Sequence, residues 1–263
     1  MEEVSFFDKR RRMFLFYNPY HLGDQIFNMI LFHKISDLLK RLDVKIRYSC
    51  KREYHAQVGE FIEDKERIQL VDLDNQGLEL WINNPQIIKR YELQSFVGYD
   101  NYYILFFQEV LRKMCMPYLL MDLKFEDEDL LFRQKKIYEK YPEMENVEIL
   151  IINSIPLSGQ YRYSAETWNR FIFYLSKKYK VITTNPVENI LCTQHMKFSV
   201  KDIGSISTKM RYIIGINTGP FVGCYNVYTL QNVEKIYIFV NNLYFQHRKI
   251  EKMIDIEYLY LYF

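Results

Sequence analysis

Short, almost wholly apolar runs recur along the chain, each followed by a stretch with helical spacing. Met13–Tyr17 (MFLFY) ends at Asn18-Pro19 and reads as a buried first strand. In the following segment Ile26, Met29, Ile30, Ile35, Leu38, Leu39 and Leu42 recur at helical spacing, which predicts a helix over 24–41. Residues 44–50 alternate as a strand, 53–62 suit a helix, and 67–73 suit a third strand. A β-α-β-α-β order of this kind demands a parallel sheet with helical crossovers, so the fold class expected is α/β.

The pattern repeats. LELWI (78–82) suits a further strand, and helices are expected over 101–115 and 127–140, the second beginning in the acidic run Glu126–Asp129. Acidic residues there favour the positive end of a helix dipole. A second unit then opens with VEILIIN (147–153), a loop SIPLSGQYRY, and a helix over 165–178 capped by Ser164. KVITT (180–184), a helix over 201–210, RYIIGI (211–216), the turn NTGP (217–220), strands near 226–230 and 235–240, and a helical tail over 243–259 complete the expectation. The boundary between the units is placed near 141–147.

With 263 residues, 49% hydrophobic and 26% charged, the chain is long enough for two cores and too apolar to be disordered. Nine glycines and seven prolines leave little room for low-complexity linkers. The four cysteines are far apart and form no C-x-x-C pair, which leaves no zinc or redox motif and fits reduced thiols. The five histidines do not cluster, so no metal site is expected. No apolar stretch reaches the ~20 residues of a spanning helix, and the run after Lys9–Arg12 is too short for a signal peptide. A cytoplasmic protein with at most peripheral membrane contact is expected. Residues 1–145 carry a net charge of −3 and 146–263 a net of +5. The overall net charge of +2 argues for no particular polyanion, so no nucleic-acid partner is expected, and the basic second half suits a phosphorylated ligand.

In open α/β sheets ligands bind beyond the carboxyl ends of the strands. Three segments qualify. Asn18–Asp24 joins the first strand to its helix; Gly23 permits a tight turn, and Asp24 is either a general base on a hydroxyl or a helix cap. In Asn217-Thr218-Gly219-Pro220 a strand ends and a helix begins. Backbone N–H groups there can hold phosphate oxygens, with the Thr218 hydroxyl as a further donor and Pro220 at the first helical position; the alternative is an ordinary turn. In the third segment, Ser158 and Gly159 are small residues ahead of Arg162, whose guanidinium can clamp a diphosphate. No Walker, G-x-G-x-x-G, H-E-x-x-H or G-x-S-x-G motif occurs.

Taken in order, these segments resemble a known family. LGDQIFNMILFHKISDLLK resembles the opening LGD loop and first helix of the heptosyltransferase-like glycosyltransferases, the ADP-heptose:lipopolysaccharide type. SVKDIGSISTKMRYIIGINTGP resembles that family's second signature, a helix and strand leading into a D-[ST]-G-P turn. VEILIINSIPLSGQYRYSAETWNRFIFYLSKKYKVITTN resembles the start of its C-terminal domain. The resemblance implies the GT-B fold, two Rossmann-like domains facing each other across a cleft: 1–145 on the acceptor side and 146–263 holding a nucleotide-diphosphate sugar without a cofactor or required metal. It implies Asp24 as catalytic base, with His21 and Gly23 in the acceptor-side loop. On the donor side it implies Ser158, Gly159, Arg162, Asn185, Asn217, Thr218, Gly219 and Pro220. The acceptor implied is the hydroxyl of a glycan or glycolipid. Asn217 stands where the family usually has Asp, and Phe221-Val222-Gly223 replace the segment where its His is common. LGDQIF also resembles the LGNQ-F opening of fucosyltransferases, whose H-x-R-x-G-D motif this chain lacks. A non-catalytic relative that only binds the sugar nucleotide is the third alternative.

Overall fold

The computed structural model describes residues 7–8, 13–73, 81–83, 99–119, 122, 124–157, 161–239 and 253–256. The chain divides into two compact units, Met1–Leu123 and Lys124–Phe263.

In the first unit, β1 (Phe7–Asp8) and β2 (Met13–Tyr17) lead into α1 (Leu22–Lys34) and α2 (Ser36–Arg41). Then come β3 (Lys45–Cys50), α3 (His55–Gly59), β4 (Ile68–Asp72), β5 (Trp81–Asn83) and α4 (Tyr99–Lys113). The strand β2 pairs in parallel with β3 along one edge and with β5 along the other, while β3 pairs in parallel with β4. The short β1 pairs antiparallel with the start of β2. The parallel order is therefore β4-β3-β2-β5, and the direction of travel across the sheet reverses between β2 and β5. The expected helix 24–41 is interrupted at Ile35, whose φ of −107° and ψ of 9° leave the helical region. A β-branched residue followed by Ser36 and Asp37 gives the weakest helix propensity of the stretch. The helix expected over 53–62 shortens to a 3-10 turn, Arg52–Tyr54, and α3. The core is aromatic: the Phe16 ring stacks on Tyr48 with centroids 5.3 Å apart and meets Phe32 edge-on at 5.4 Å.

The second unit contains α5 (Asp129–Lys140), β6 (Ile149–Ile152), α6 (Ala165–Ser176), β7 (Val181–Thr183), β8 (Leu191–Cys192) and α7 (Val200–Ser207). It continues through β9 (Tyr212–Ile216), α8 (Gly219–Val222), α9 (Val227–Asn232), β10 (Lys235–Phe239) and β11 (Met253–Ile256). All pairings among β6–β11 are parallel, in the order β8-β7-β6-β9-β10-β11. Numbered from β6, that is 3-2-1-4-5-6, the order of dinucleotide-binding sheets, with the reversal between β6 and β9. Trp168 of α6 fills the core between Ile149, Ile151, Ile214, Ile216 and Phe239. Ser164 caps α6 as expected, accepting from the Thr167 N–H.

Four expectations are corrected. The segment near 226–230 is α9, not a strand: the Asn226 side chain accepts the Thr229 N–H at 2.8 Å, and that cap outweighs a five-residue apolar pattern too short to set a period. Within the expected helical tail, Met253–Ile256 is a strand paired with β10, in keeping with its β-branched isoleucines. The two-residue β8 was not expected at all. Finally, the units divide at 123/124 rather than near 141–147, because α5 belongs to the second. Its anchor is ionic: Lys201 of α7 bonds Asp127 at 2.7 Å and Asp129 at 3.1 Å, and Arg133 joins Asp129 (2.8 Å) to Asp202 (3.1 Å). The acidic run at 126–129 thus does more than favour a helix dipole. Burial pushes the Asp129 carboxyl upward, but hydrogen bonds from Arg133 and Lys201 outweigh it and leave the group below its ordinary value.

Candidate functional site

The loop after β2 lies at the carboxyl edge of the first sheet, beside the reversal between β2 and β5. Its turn is made by Asn18, whose side-chain oxygen accepts the Tyr20 N–H at 3.0 Å, and not by Gly23, which is already the second residue of α1. Beneath the loop is a buried polar group. The Tyr48 hydroxyl donates to Gln25 Oε1 at 2.6 Å and accepts from Asn18 and Asn28, each at 2.9 Å. Gln25 Nε2 returns to the carbonyls of Asn18 (3.3 Å) and Tyr20 (3.0 Å). Burial holds the Tyr48 phenol well above its ordinary pKa, so it stays a neutral donor and acceptor. Loop and helix start are therefore pinned to the sheet from below, a rigid base for a reacting group.

On that base stands Asp24, partly buried, the third residue of α1. His21 occupies the cap position with φ −80° and ψ 169°, and its side chain makes no capping bond. The Asp24 carboxylate accepts the Tyr103 hydroxyl of α4 at 2.7 Å. Desolvation raises its pKa above the usual carboxylate value; Tyr103, the charge of His21 and backbone N–H groups at the helix start oppose the rise. A carboxylate whose proton affinity is raised toward the working pH suits a general base. Tyr103 is a residue that sequence reasoning missed. It lies in a helix distant in the chain, is only 6% exposed, and stacks on Phe27 with centroids 4.0 Å apart. Gln25 and Asn28 were missed as well, although a polar residue among the apolar positions of α1 is a signal that could have found them.

In the second unit, the loops after β7, β6 and β9 come side by side at the carboxyl edge. Asn153 binds this edge together. Its side-chain oxygen accepts from Thr184 Oγ1 (3.1 Å) and the Asn185 N–H (2.8 Å), and its amide donates to the Asn185 carbonyl at 3.3 Å. Asn185 is thus fixed through its backbone, its side chain half-buried. Asn217 follows β9 and is 5% exposed. Thr218 is the cap residue of α8, but its hydroxyl donates to the Ile216 carbonyl at 3.3 Å, which occupies the donor that the sequence reading offered to a phosphate. Gly219 is the first helical residue and Pro220 the second, not the first as expected. Gly215 is needed for strand packing, since a Cβ there would come within 2.6 Å of the Ile152 Cβ.

Ser158 and Gly159 lie outside the described residues. Arg162 is exposed, and among the described residues it has no ion-pair partner. Its neighbours explain the placement. Tyr161 packs edge-on to Phe239 at 6.0 Å and Tyr163 stacks on Trp168 at 6.4 Å, so two inward rings leave the guanidinium between them outward. Ile155 and Leu157, earlier in the same loop, are exposed apolar residues. Among the described residues, no three His, Cys, Asp or Glu are grouped to hold a metal ion, and no helix is long and apolar enough to cross a membrane. Asp127 and Asp129, two carboxylates that could share a cation, already share the Lys201 ammonium.

No protein-family model and no curated protein matches this sequence. Solved structures do match in fold. E. coli ADP-heptose lps heptosyltransferase II aligns over 93% of this chain and 89% of its own, with 8% identity and a TM-score of 0.55. E. coli heptosyltransferase WaaC with ADP-2-deoxy-2-fluoro heptose aligns over 92% of both chains, with 6% identity and a TM-score of 0.53. A glycosyl transferase family 9 protein from Veillonella parvula aligns over 93% of this chain and 85% of its own, with 12% identity and a TM-score of 0.52. The chain thus has the α/β, GT-B-class fold of the heptosyltransferase-like glycosyltransferases, as its motifs led one to expect.

Proposed function

We propose that the chain is a glycosyltransferase that moves a sugar from a nucleotide-diphosphate donor to an acceptor hydroxyl, with inversion and without a required metal. The observation that carries this reading is Asp24: a partly buried carboxylate of raised pKa, on a rigid loop at the strand-order reversal of the first sheet. In this reading Asp24 takes the proton of the acceptor hydroxyl. The acceptor oxygen bonds to the anomeric carbon, and the bond from that carbon to the diphosphate breaks. The nucleoside diphosphate leaves with the electron pair. His21 and Gly23 line the acceptor-side loop.

The donor falls to the second unit. Its sheet has the strand order that binds nucleotides at the β6/β9 reversal, where Ser158, Gly159, Arg162, Asn185 and the Asn217–Pro220 turn are assigned. Backbone N–H groups of Thr218 and Gly219 supply donors to the diphosphate, since the Thr218 hydroxyl is engaged elsewhere. Arg162 supplies the charge that stabilises the departing group, usually the larger catalytic contribution. Ile155 and Leu157 offer apolar surface to a base. Phe173 and Tyr174 lie exposed on α6 under the ammonium groups of Lys177 (4.8 Å) and Lys178 (5.7 Å), which suits contact with an anionic membrane bearing a glycolipid acceptor.

The competing reading is non-catalytic binding of the same donor, favoured by Asn217 in place of the family's Asp. Both readings need a sugar-nucleotide site. A thermal-shift panel of ADP, GDP, UDP and their sugars tests it: a ligand at 100 times its Kd adds about 2.7 kcal/mol. Stabilisation by at least one of them is expected, and none by any would overturn the reading.

A further inference from the structure

We propose that Tyr103 is a positioning residue for Asp24, its hydroxyl fixing one carboxylate oxygen so that the remaining acceptor capacity is presented to the acceptor hydroxyl in one orientation. The inference rests on reading Asp24 as the base. Three observations support it. The Tyr103 hydroxyl donates to Asp24 Oδ1 at 2.7 Å, a short bond of the charge-assisted kind. The ring is locked by packing, stacked on Phe27 and edge-on to Phe106 at 6.3 Å and Phe107 at 6.4 Å, so the hydroxyl is delivered to one place. And the bond joins α4 to the first turn of α1, so the orientation of the base is set by tertiary packing and not by the helix start alone.

The same bond opposes the desolvation that lifts the Asp24 pKa. The other titratable groups that bear on Asp24 are His21 on its own loop, Tyr48 from β3 and Tyr54 from the 3-10 turn before α3. Of these, the Tyr48 hydroxyl is spent on Gln25. Losing the Tyr103 bond therefore leaves the carboxylate with a higher proton affinity and a wider choice of orientations. A carboxylate keeps about four lone-pair sites, so one bond from Tyr103 leaves room for a substrate hydroxyl.

The test is the titration of Asp24 followed by carbon-13 NMR of labelled aspartate carboxyls, with Asp24→Asn assigning the signal, in the full chain and in Tyr103→Phe. The phenylalanine ring keeps the Phe27 stack, so the fold is retained. Asp24 is expected to titrate about one pH unit higher in Tyr103→Phe, the equivalent of about 1.4 kcal/mol. With the sugar nucleotide that the wild type turns over, kcat falls at least tenfold, KM for the donor stays within twofold, and the acid limb of the rate profile moves up with the titration. Should Tyr103→Phe fail to fold, 3-fluorotyrosine at position 103 keeps ring and hydroxyl but donates more strongly. It should move the Asp24 titration downward. An Asp24 titration that neither change moves would overturn the proposal. Failure of the transfer reading looks different: no sugar nucleotide is turned over by the wild type, while the titration still responds to position 103.

Discussion

The hydroxyl of Tyr103 and the carboxylate of Asp24 meet at 2.7 Å across 79 residues of sequence, tying the first turn of α1 to α4. Neither segment announces the other. The bond makes Asp24 more than the helix-start residue that its position suggests, and it makes the behaviour of that carboxylate measurable.

Asp24→Asn separates base from structural residue. The folded chain binds the Asp24 proton more tightly than the unfolded chain, whose carboxyl titrates near 3.8. Its contribution to stability therefore falls as pH rises from that value through the raised folded pKa, and at neutral pH the ionised group is a burden. The amide keeps an acceptor for Tyr103 and removes the charge. The variant should melt at or above the wild-type temperature at pH 7, with transfer reduced about 10²–10⁴-fold. Calorimetry beside an activity assay checks both. A variant that loses stability and keeps activity would make Asp24 structural.

Arg162→Ala tests the donor side. The side chain is exposed between two partly buried rings packed on the core, so the fold should be indifferent to its loss. A charge-assisted bond to phosphate is worth about 1.5–3 kcal/mol. Calorimetric Kd values for the nucleoside diphosphate should weaken about tenfold or more, and those for the free nucleoside should not change. An equal loss for both ligands would move Arg162 away from the diphosphate.

Lys201→Met tests the ionic anchor of the second unit. The Lys201 side chain is 7% exposed and serves two aspartates. Removing it leaves the mostly buried Asp127 carboxylate without that cation, while Asp129 keeps Arg133, at a cost of about 3–5 kcal/mol. Urea unfolding should show a loss of that order. A loss under about 1 kcal/mol would mean that Asp127 and Asp129 reach water instead.

Gly204→Ala tests the seat of the 217–220 turn. A Cβ at Gly204 would stand 2.6 Å from the Gly223 carbonyl oxygen, directly after α8. Backbone must move, at a cost of about 1–3 kcal/mol. Thermal melting should fall accordingly, and sugar-nucleotide affinity should fall with it if the displaced turn holds the diphosphate. Unchanged melting would contradict the close approach.

Much of the fold was legible because β2, β6, β9 and β10 are short, dense apolar runs in regular order with helical stretches, and because Ser164 and the helix stripes mark their elements. What stayed hidden depends on tertiary partners. A two-residue β8 carries no period, and the α9 segment alternates like a strand until Asn226 caps it. The acidic run at 126–129 reads as a helix start until Lys201 is beside it. The candidate site divides in the same way. Asp24 and the NTGP turn stood out because they follow buried strands in parallel α/β order. Tyr103 and Tyr48 are two among 23 tyrosines, and nothing local distinguishes either. The bond from the Thr218 hydroxyl to the Ile216 carbonyl was hidden for a related reason, since a threonine beside a strand end bonds its own backbone as readily as a ligand.

The most direct test of glycosyl transfer is release of nucleoside diphosphate from ADP-, GDP- and UDP-sugars by the wild type and by Asp24→Asn, each compared at saturating donor. At least one sugar nucleotide should be cleaved by the wild type, at least 100-fold more slowly by the variant, and bound equally by both. Binding without cleavage by the wild type, or cleavage that Asp24→Asn leaves intact, would contradict the account.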